Sequence, residues 1–140
     1  KENIRYGKIE AEDLEIIKAA KLVNAHQFIK RLTQGYDTQL GESGDNLSTG
    51  QKQLISFARA VIAEPRIFVL DEATSSIDTE MEQLIQKAIE KILKGRTNII
   101  IAHRLSTIRS ADRIIVLKDG KIIESGNHRE LLQEKGYYYK

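Results

Sequence analysis

Cysteine is absent from the 140 residues. That excludes disulfides, thiolate metal sites and a cysteine nucleophile. Tryptophan is also absent, there is a single proline, and aromatic residues make up only 6%. No apolar run approaches the ~20 residues a membrane span needs; the longest, 67–70 and 99–102, are strand-sized. Neither sign of charge dominates, with 22 Lys and Arg against 20 Asp and Glu and a formal net charge of +2. Such a balance excludes a polybasic arm or an acidic tail as the main theme, so no nucleic-acid partner is expected. Internal repeats, low-complexity tracts and a secretory signal pattern are all missing. The first residues, Lys1-Glu2-Asn3, run without Met into structured-looking sequence. We therefore expect a piece of a longer chain, whose membrane spans, if it has them, would lie elsewhere.

What is present is ordinary globular composition, 41% hydrophobic and 30% charged, at a length suited to one compact domain. The first third reads as helical. Leu14, Ile17 and the stretch 21–23 place apolar groups near helical spacing, with Glu12, Asp13 and Glu15 in the first turn, where the helix dipole favours acids. A second short helix is expected over 24–32, stopped by Gly35, and then a loop over 34–47. Ser48-Thr49-Gly50-Gln51 fits a capping box that opens a helix with Leu54, Ala58, Val61 and Ile62 on one face, closed by Pro65. Ile67-Phe68-Val69-Leu70 reads as a strand buried on both faces, the parallel-sheet pattern. A helix over 80–93 follows, with Leu84, Ile85, Ala88, Ile89 and Ile92 on one side and Gly95 at its end; a second buried strand covers 97–102. Strand, helix, strand predicts an α/β unit with a parallel sheet. Asp119-Gly120 between 114–117 and 121–123 signals a hairpin, and a last helix is expected over 128–134.

Chemistry concentrates at a few positions. The strand 67–70 delivers two adjacent carboxylates, Asp71 and Glu72, to the sheet edge where open α/β sheets bind ligands. The first acid suits Mg²⁺ held through water, and the second suits orienting or deprotonating an attacking water. The plainer reading is a solvated acid pair. At Ser48-Thr49-Gly50-Gln51 a helix N-terminus offers free N–H groups to a phosphate, with the Ser48 hydroxyl beside them and Gly50 permitting close approach. The plainer reading there is a well-capped helix. His103 follows the second strand at the same edge as Glu72, where it suits a terminal phosphate or an attacking water, or a structural hydrogen bond. Asp78 reads as a helix N-cap. Tyr137, Tyr138 and Tyr139 read as a docking surface or a frayed end, and His26 and His128 receive no chemistry.

The joint order of these segments resembles the ATP-binding-cassette (ABC) ATPases. Leu47-Ser48-Thr49-Gly50-Gln51-Lys52-Gln53 resembles the family signature, and 67–72 resembles the Walker B strand with its catalytic Glu72. Ser75 and Asp78 resemble the D-loop and His103 the switch histidine. Two further stretches are similar to the exporter class: Tyr36-Asp37-Thr38-Gln39-Leu40-Gly41-Glu42-Ser43-Gly44, and His103-Arg104-Leu105-Ser106-Thr107-Ile108 with Ala111-Asp112-Arg113 and the Asp119-Gly120 hairpin. The opening Glu2-Asn3-Ile4-Arg5-Tyr6-Gly7 resembles the segment just after the Q-loop, so the resemblance covers the whole chain. One departure is Thr49, where the commonest signature has Gly; Thr restricts the backbone and adds bulk.

The resemblance implies a fold and a division of labour. The fold is α/β: a partial P-loop NTPase (RecA-like) core with parallel strands and a C-terminal hairpin, plus the helical subdomain. The expected boundaries are 1–63 for the helical, signature-bearing subdomain and 64–140 for the C-terminal half of the ATPase core. Glu72 and His103 are implied as catalytic, and Asp71 as the Mg²⁺ residue acting through water. Ser48, Thr49, Gly50 and Gln51 are implied to contact ATP held by a second nucleotide-binding domain in a head-to-tail dimer. Asp78, in the D-loop with Ser75, is implied to communicate across that interface, and Glu42 is implied to be a coupling residue toward the transmembrane domains. The parent is implied to be an integral membrane exporter, with this soluble domain at the cytoplasmic face. A non-transport ABC ATPase of DNA repair or translation, and an inactive folded interaction piece, are the alternatives.

By the same resemblance the Q-loop glutamine and the adenine-stacking aromatic are expected upstream of Lys1, and so is the Walker A loop. No glycine of the nine is followed five places later by Gly-Lys, so the Walker A loop G-x-x-x-x-G-K-[ST] is absent. Phosphoryl transfer depends on positioning and charge stabilisation. Without the phosphate cradle we expect this chain alone neither to bind ATP tightly nor to hydrolyse it. The strand 67–70 is also expected to expose apolar surface, inviting self-association or segment swapping.

Overall fold

The computed structural model describes residues 1–41, 44–71, 78–101 and 108–139. Its elements, in chain order, begin with three helices: α1 (Glu2–Arg5), α2 (Asp13–Leu22) and α3 (His26–Arg31). A single 3₁₀ turn, Gly35–Asp37, precedes α4 (Thr49–Ile62). Strand β1 (Ile67–Asp71), helix α5 (Thr79–Leu93) and strand β2 (Thr97–Ile101) follow. Strands β3 (Ile114–Lys118) and β4 (Lys121–Gly126) and helix α6 (His128–Glu134) end the described chain. β1 and β2 form a parallel pair, and β3 and β4 an antiparallel one. The chain divides into two compact units, Lys1–Val69 with Thr74–Ile99, and Leu70–Ala73 with Ile100–Lys140.

The first unit is built around α4, which contacts α1, α2 and α5. Its expected face is present: Leu54, Ala58, Val61 and Ile62 are buried, and Ile55 and Phe57 widen it. At its C-terminal end Glu64 takes a left-handed φ of 49°, and Pro65 follows. Burial at α5 falls on Ile85, Ala88, Ile89 and Ile92, as the 3.6-residue period requires, with Leu84 half-buried. The face of α2 differs from the sequence reading. Ile16, Ala19 and Ala20 are buried, whereas Leu14 is exposed and Ile17 half-buried. Two alanines share the contact with Ile16, and small residues give a weak hydrophobic signal although they let helices approach closely.

Asn24 ends α2 in a left-handed conformation, φ 60°. Its side-chain amide donates to the Leu84 carbonyl at 3.1 Å, and its Oδ1 accepts from Lys91 Nζ at 2.9 Å. One amide thus fastens the end of α2 to the middle of α5. Nearby, the His26 Nδ1 and Tyr36 hydroxyl share a 2.8 Å hydrogen bond that pins the 3₁₀ turn to the start of α3. Desolvation, with Lys21 and Lys30 adding to it, lowers the His26 pKa below its ordinary value. Burial raises that of Tyr36.

Strand β1 corrects an expectation. Phe68 and Leu70 are buried, but Ile67 is 60% and Val69 64% exposed. Alternation of this kind belongs to a sheet with one covered face, not two. In β2, Ile99 and Ile101 are likewise exposed. A continuous apolar run reports composition, whereas two-sided burial needs something on each face.

In the second unit, Asp119 (φ 49°) and Gly120 (φ 72°) make the tight β3–β4 turn, where both central residues need positive φ. The ladder runs from Ile114 opposite Gly126 to Lys118 opposite Lys121, with an irregularity between Val116 and Leu117. Asn127 caps α6, its Oδ1 accepting from the Arg129 and Glu130 amides at 3.0 Å each, and Leu131 is fully buried. Glu124 on β4 accepts from the backbone amides of Tyr137 and Tyr138, and the Tyr138 hydroxyl shares a 2.8 Å hydrogen bond with His128 Nδ1. Those contacts seat the tyrosine-rich tail against the hairpin.

Candidate functional site

The best-defined candidate is the N-terminus of α4. Gln51 N donates to Ser48 Oγ at 3.3 Å, and Ser48 N donates to Gln51 Oε1 at 3.0 Å. This reciprocal pair is the capping box expected from the sequence. A helix cannot satisfy its own first N–H groups. Ser48 takes that of Gln51, while those of Thr49 and Gly50 fall outside the helical ladder. Positive potential from the helix dipole adds to them. The side chains of Ser48 and Thr49 are exposed, Gln51 is half-buried, and Gly50 is buried. So Ser48 and Thr49 offer groups to an outside ligand, while Gln51 is occupied in holding the cap. Thr49 sits in the first helical position, so its restricted backbone is already in a conformation Thr adopts readily.

Asp71 is the last residue of β1 and is exposed. Among the described residues there is no group of three or more His, Cys, Asp and Glu side chains placed to hold a metal. A single carboxylate is nevertheless what Mg²⁺ commonly takes from a protein when waters and substrate phosphates fill its other positions. Asp71 therefore fits Mg²⁺ as a partner to bound phosphates, and does not fit it as a metal site of its own.

Asp78 is the N-cap of α5, its Oδ1 accepting from the Met81 amide at 2.9 Å. The plainer of its two sequence readings is therefore realised, and its exposed carboxylate has a second oxygen to offer. Ser48, Thr49, Gly50, Gln51 and Asp78 belong to the first compact unit and Asp71 to the second. Glu42, Glu72, Ser75 and His103 lie outside the described residues.

Sequence reasoning missed one cluster beside this helix. Arg59, on α4, donates to Asn3 and stands over the Tyr6 ring. Arg59 and Asn3 are 56 residues apart, so no local spacing announces the contact.

Comparisons with known proteins agree on one family. Residues 2–75 match a family model described as ABC transporter. The chain is 57% identical over 138 residues to an uncharacterised ABC transporter ATP-binding protein, YfiC, of Bacillus subtilis, covering 99% of this chain and 23% of that one. It is 55% identical over 138 residues to an ATP-dependent lipid A-core flippase of Syntrophus aciditrophicus, again 99% of this chain and 23% of that one. Among solved structures it resembles a bacterial Atm1-family ABC exporter with ATP bound, at a TM-score of 0.85 and 45% identity. That match covers 98% of this chain and 24% of the exporter chain. The chain thus spans about a quarter of the length of these relatives.

Proposed function

Because the chain belongs to the ABC transporter ATP-binding family, we propose that it is the signature-bearing, C-terminal part of a nucleotide-binding domain that powers an exporter. The observation that carries this reading is the capped N-terminus of α4. Its exposed Ser48 and Thr49, with the first N–H groups left outside the helical ladder, suit an anion in the stretch that resembles the signature. The exporter-like stretches 36–44 and 103–113, and the names of the relatives, support the exporter class.

In this reading the residues 48–51 act on a nucleotide held by a second nucleotide-binding domain. Ser48 Oγ and the Thr49 and Gly50 N–H groups would meet phosphate oxygens, with Gln51 holding that turn in shape. Asp71 would hold Mg²⁺ through water on the chain's own nucleotide. When bound, Mg²⁺ supplies charge neutralisation on the β- and γ-phosphates. Glu72 would orient and deprotonate the attacking water, and His103 would hold the terminal phosphate. Asp78 and Ser75 would communicate across the dimer, and Glu42 would face the transmembrane domains. The division at residue 63 into a helical subdomain and a partial ATPase core belongs to the same proposal. So does placement at the cytoplasmic face of a membrane. No helix among the described residues is long and apolar enough to cross one.

The chain carries no Walker A loop, so Mg-ATP turnover by these 140 residues is expected to be absent. Phosphate release should not rise above that of the Glu72→Gln control. Turnover that disappears in Glu72→Gln would overturn that expectation. Ile67, Val69 and Ile99 of the first unit add exposed strand surface, which invites pairing. At high concentration the chain is therefore expected to sediment as more than a monomer, and a single monomeric species throughout would refute this.

A further inference from the structure

One side chain connects the first helical turn of the chain to the helix that carries Ser48 and Gln51. Arg59 lies on α4, and its guanidinium makes three contacts at once. Nε donates to the Asn3 carbonyl at 2.9 Å, and Nη2 donates to Asn3 Oδ1 at 2.6 Å. The guanidinium carbon stands 5.7 Å from the centre of the Tyr6 ring. The backbones meet at the same place, since a Cβ on Gly7 would collide with the Arg59 carbonyl.

The segment needs such a hold. Helix α1 has four residues and no side-chain cap, and a single turn is not stable by itself. Its other polar ties lead elsewhere. Arg5 bonds the Ala11 carbonyl and the Asp13 carboxylate, and Lys1 pairs with Asp13 and Asp37. Buried Ile4 anchors the turn without directing it. Tyr6, at the outer end, is 78% exposed.

We propose that Arg59 is a positioning residue that fixes the segment 3–7, with its exposed Tyr6, in register on the signature-bearing helix. A planar guanidinium donates to two acceptors in a fixed fork while its charge stands over a ring, whereas a lysine ammonium is a compact charge on a flexible stem without that fork. The clamp stands on geometry within the first unit. Only its importance for nucleotide contact rests on the function proposed above.

The test is hydrogen exchange and NMR on the full 140-residue chain with Arg59→Lys and Asn3→Ala. Tyr6 N donates to the Glu2 carbonyl and Gly7 N to the Ile4 carbonyl, so both amides report on the segment. In Arg59→Lys they are expected to exchange about tenfold faster, as local opening allows, with α5 amides unchanged. The Tyr6 ring resonances should move toward those of a free tyrosine, and Asn3→Ala should move both readouts the same way by less. Unchanged exchange and an unchanged Tyr6 ring in Arg59→Lys would overturn the proposal. Should Arg59→Lys fail to fold, Asn3→Ala decides it: faster exchange at Tyr6 and Gly7 supports the clamp, and unchanged exchange overturns it. Neither readout involves ATP, so failure here leaves the proposed function standing, and the converse holds.

Discussion

Glu72→Gln is expected to lower Mg-ATP turnover by about 10²–10⁴-fold once the chain is joined to an upstream half that supplies the Walker A loop. Gln keeps the size and a hydrogen-bonding oxygen of Glu but cannot accept the proton of the attacking water. ATP binding should persist, because the phosphate cradle and Asp71 are untouched. Two measurements check this together: steady-state phosphate release, and nucleotide binding followed separately. Undiminished turnover with binding intact would overturn the proposed role of Glu72 as general base. Loss of both would point to a folding defect. The outcome matters because Glu72 and Asp71, taken alone, read more plainly as a solvated acid pair.

Leu54→Ala is expected to destabilise the chain by about 2–5 kcal/mol, the range for a buried leucine whose cavity does not collapse. Leu54 is 0% exposed on α4, and α4 contacts three other helices of its unit. A loss of that size is a large part of the ~5–15 kcal/mol that holds an ordinary domain together. Urea denaturation followed by helical circular dichroism reads it directly, as a lower midpoint with an unchanged slope. Ser56→Ala, at an exposed position on the same helix, serves as the control and should stay within about 0.5 kcal/mol. Equal midpoints for the two variants would show that α4 does not organise the unit.

Local chemistry made much of the fold legible. The Ser48–Gln51 capping box, the Asp119-Gly120 turn and the α6 helix each depend on residues within a few positions, and each forms as read. Period alone identified the buried side of α4 and α5. Two features depended on distant residues and were misread or missed. The run 67–70 looks buried on both faces because Ile and Val are apolar, yet exposure is decided by what packs above them. Helix α1 was not singled out within the helical first third because it has neither length nor a side-chain cap, and contacts from residues far along the chain direct it. The chemical site divides the same way. Ser48 and Asp78 could be assigned caps from spacing, and Glu72 and His103 a role beside plainer readings from their place after the strands, while a role for Glu42 or Ser75 comes only from the family pattern they match.

The Asn24 amide has a consequence for how the chain is made. It joins residues 60 and 67 positions apart, to Leu84 and Lys91, within one compact unit. A nascent chain emerging from the ribosome therefore displays α2, α3 and α4 well before α5 exists to receive them. Helix α4 must wait with part of its apolar face open, until residues beyond Leu84 are synthesised. Synthesis at about 5–20 residues per second is far slower than the formation of a helix in about a microsecond, so the ribosome sets the length of the wait. The interval between α4 and α5 is thus the stage of biosynthesis at which this unit is most exposed to chaperones, proteases and its own copies.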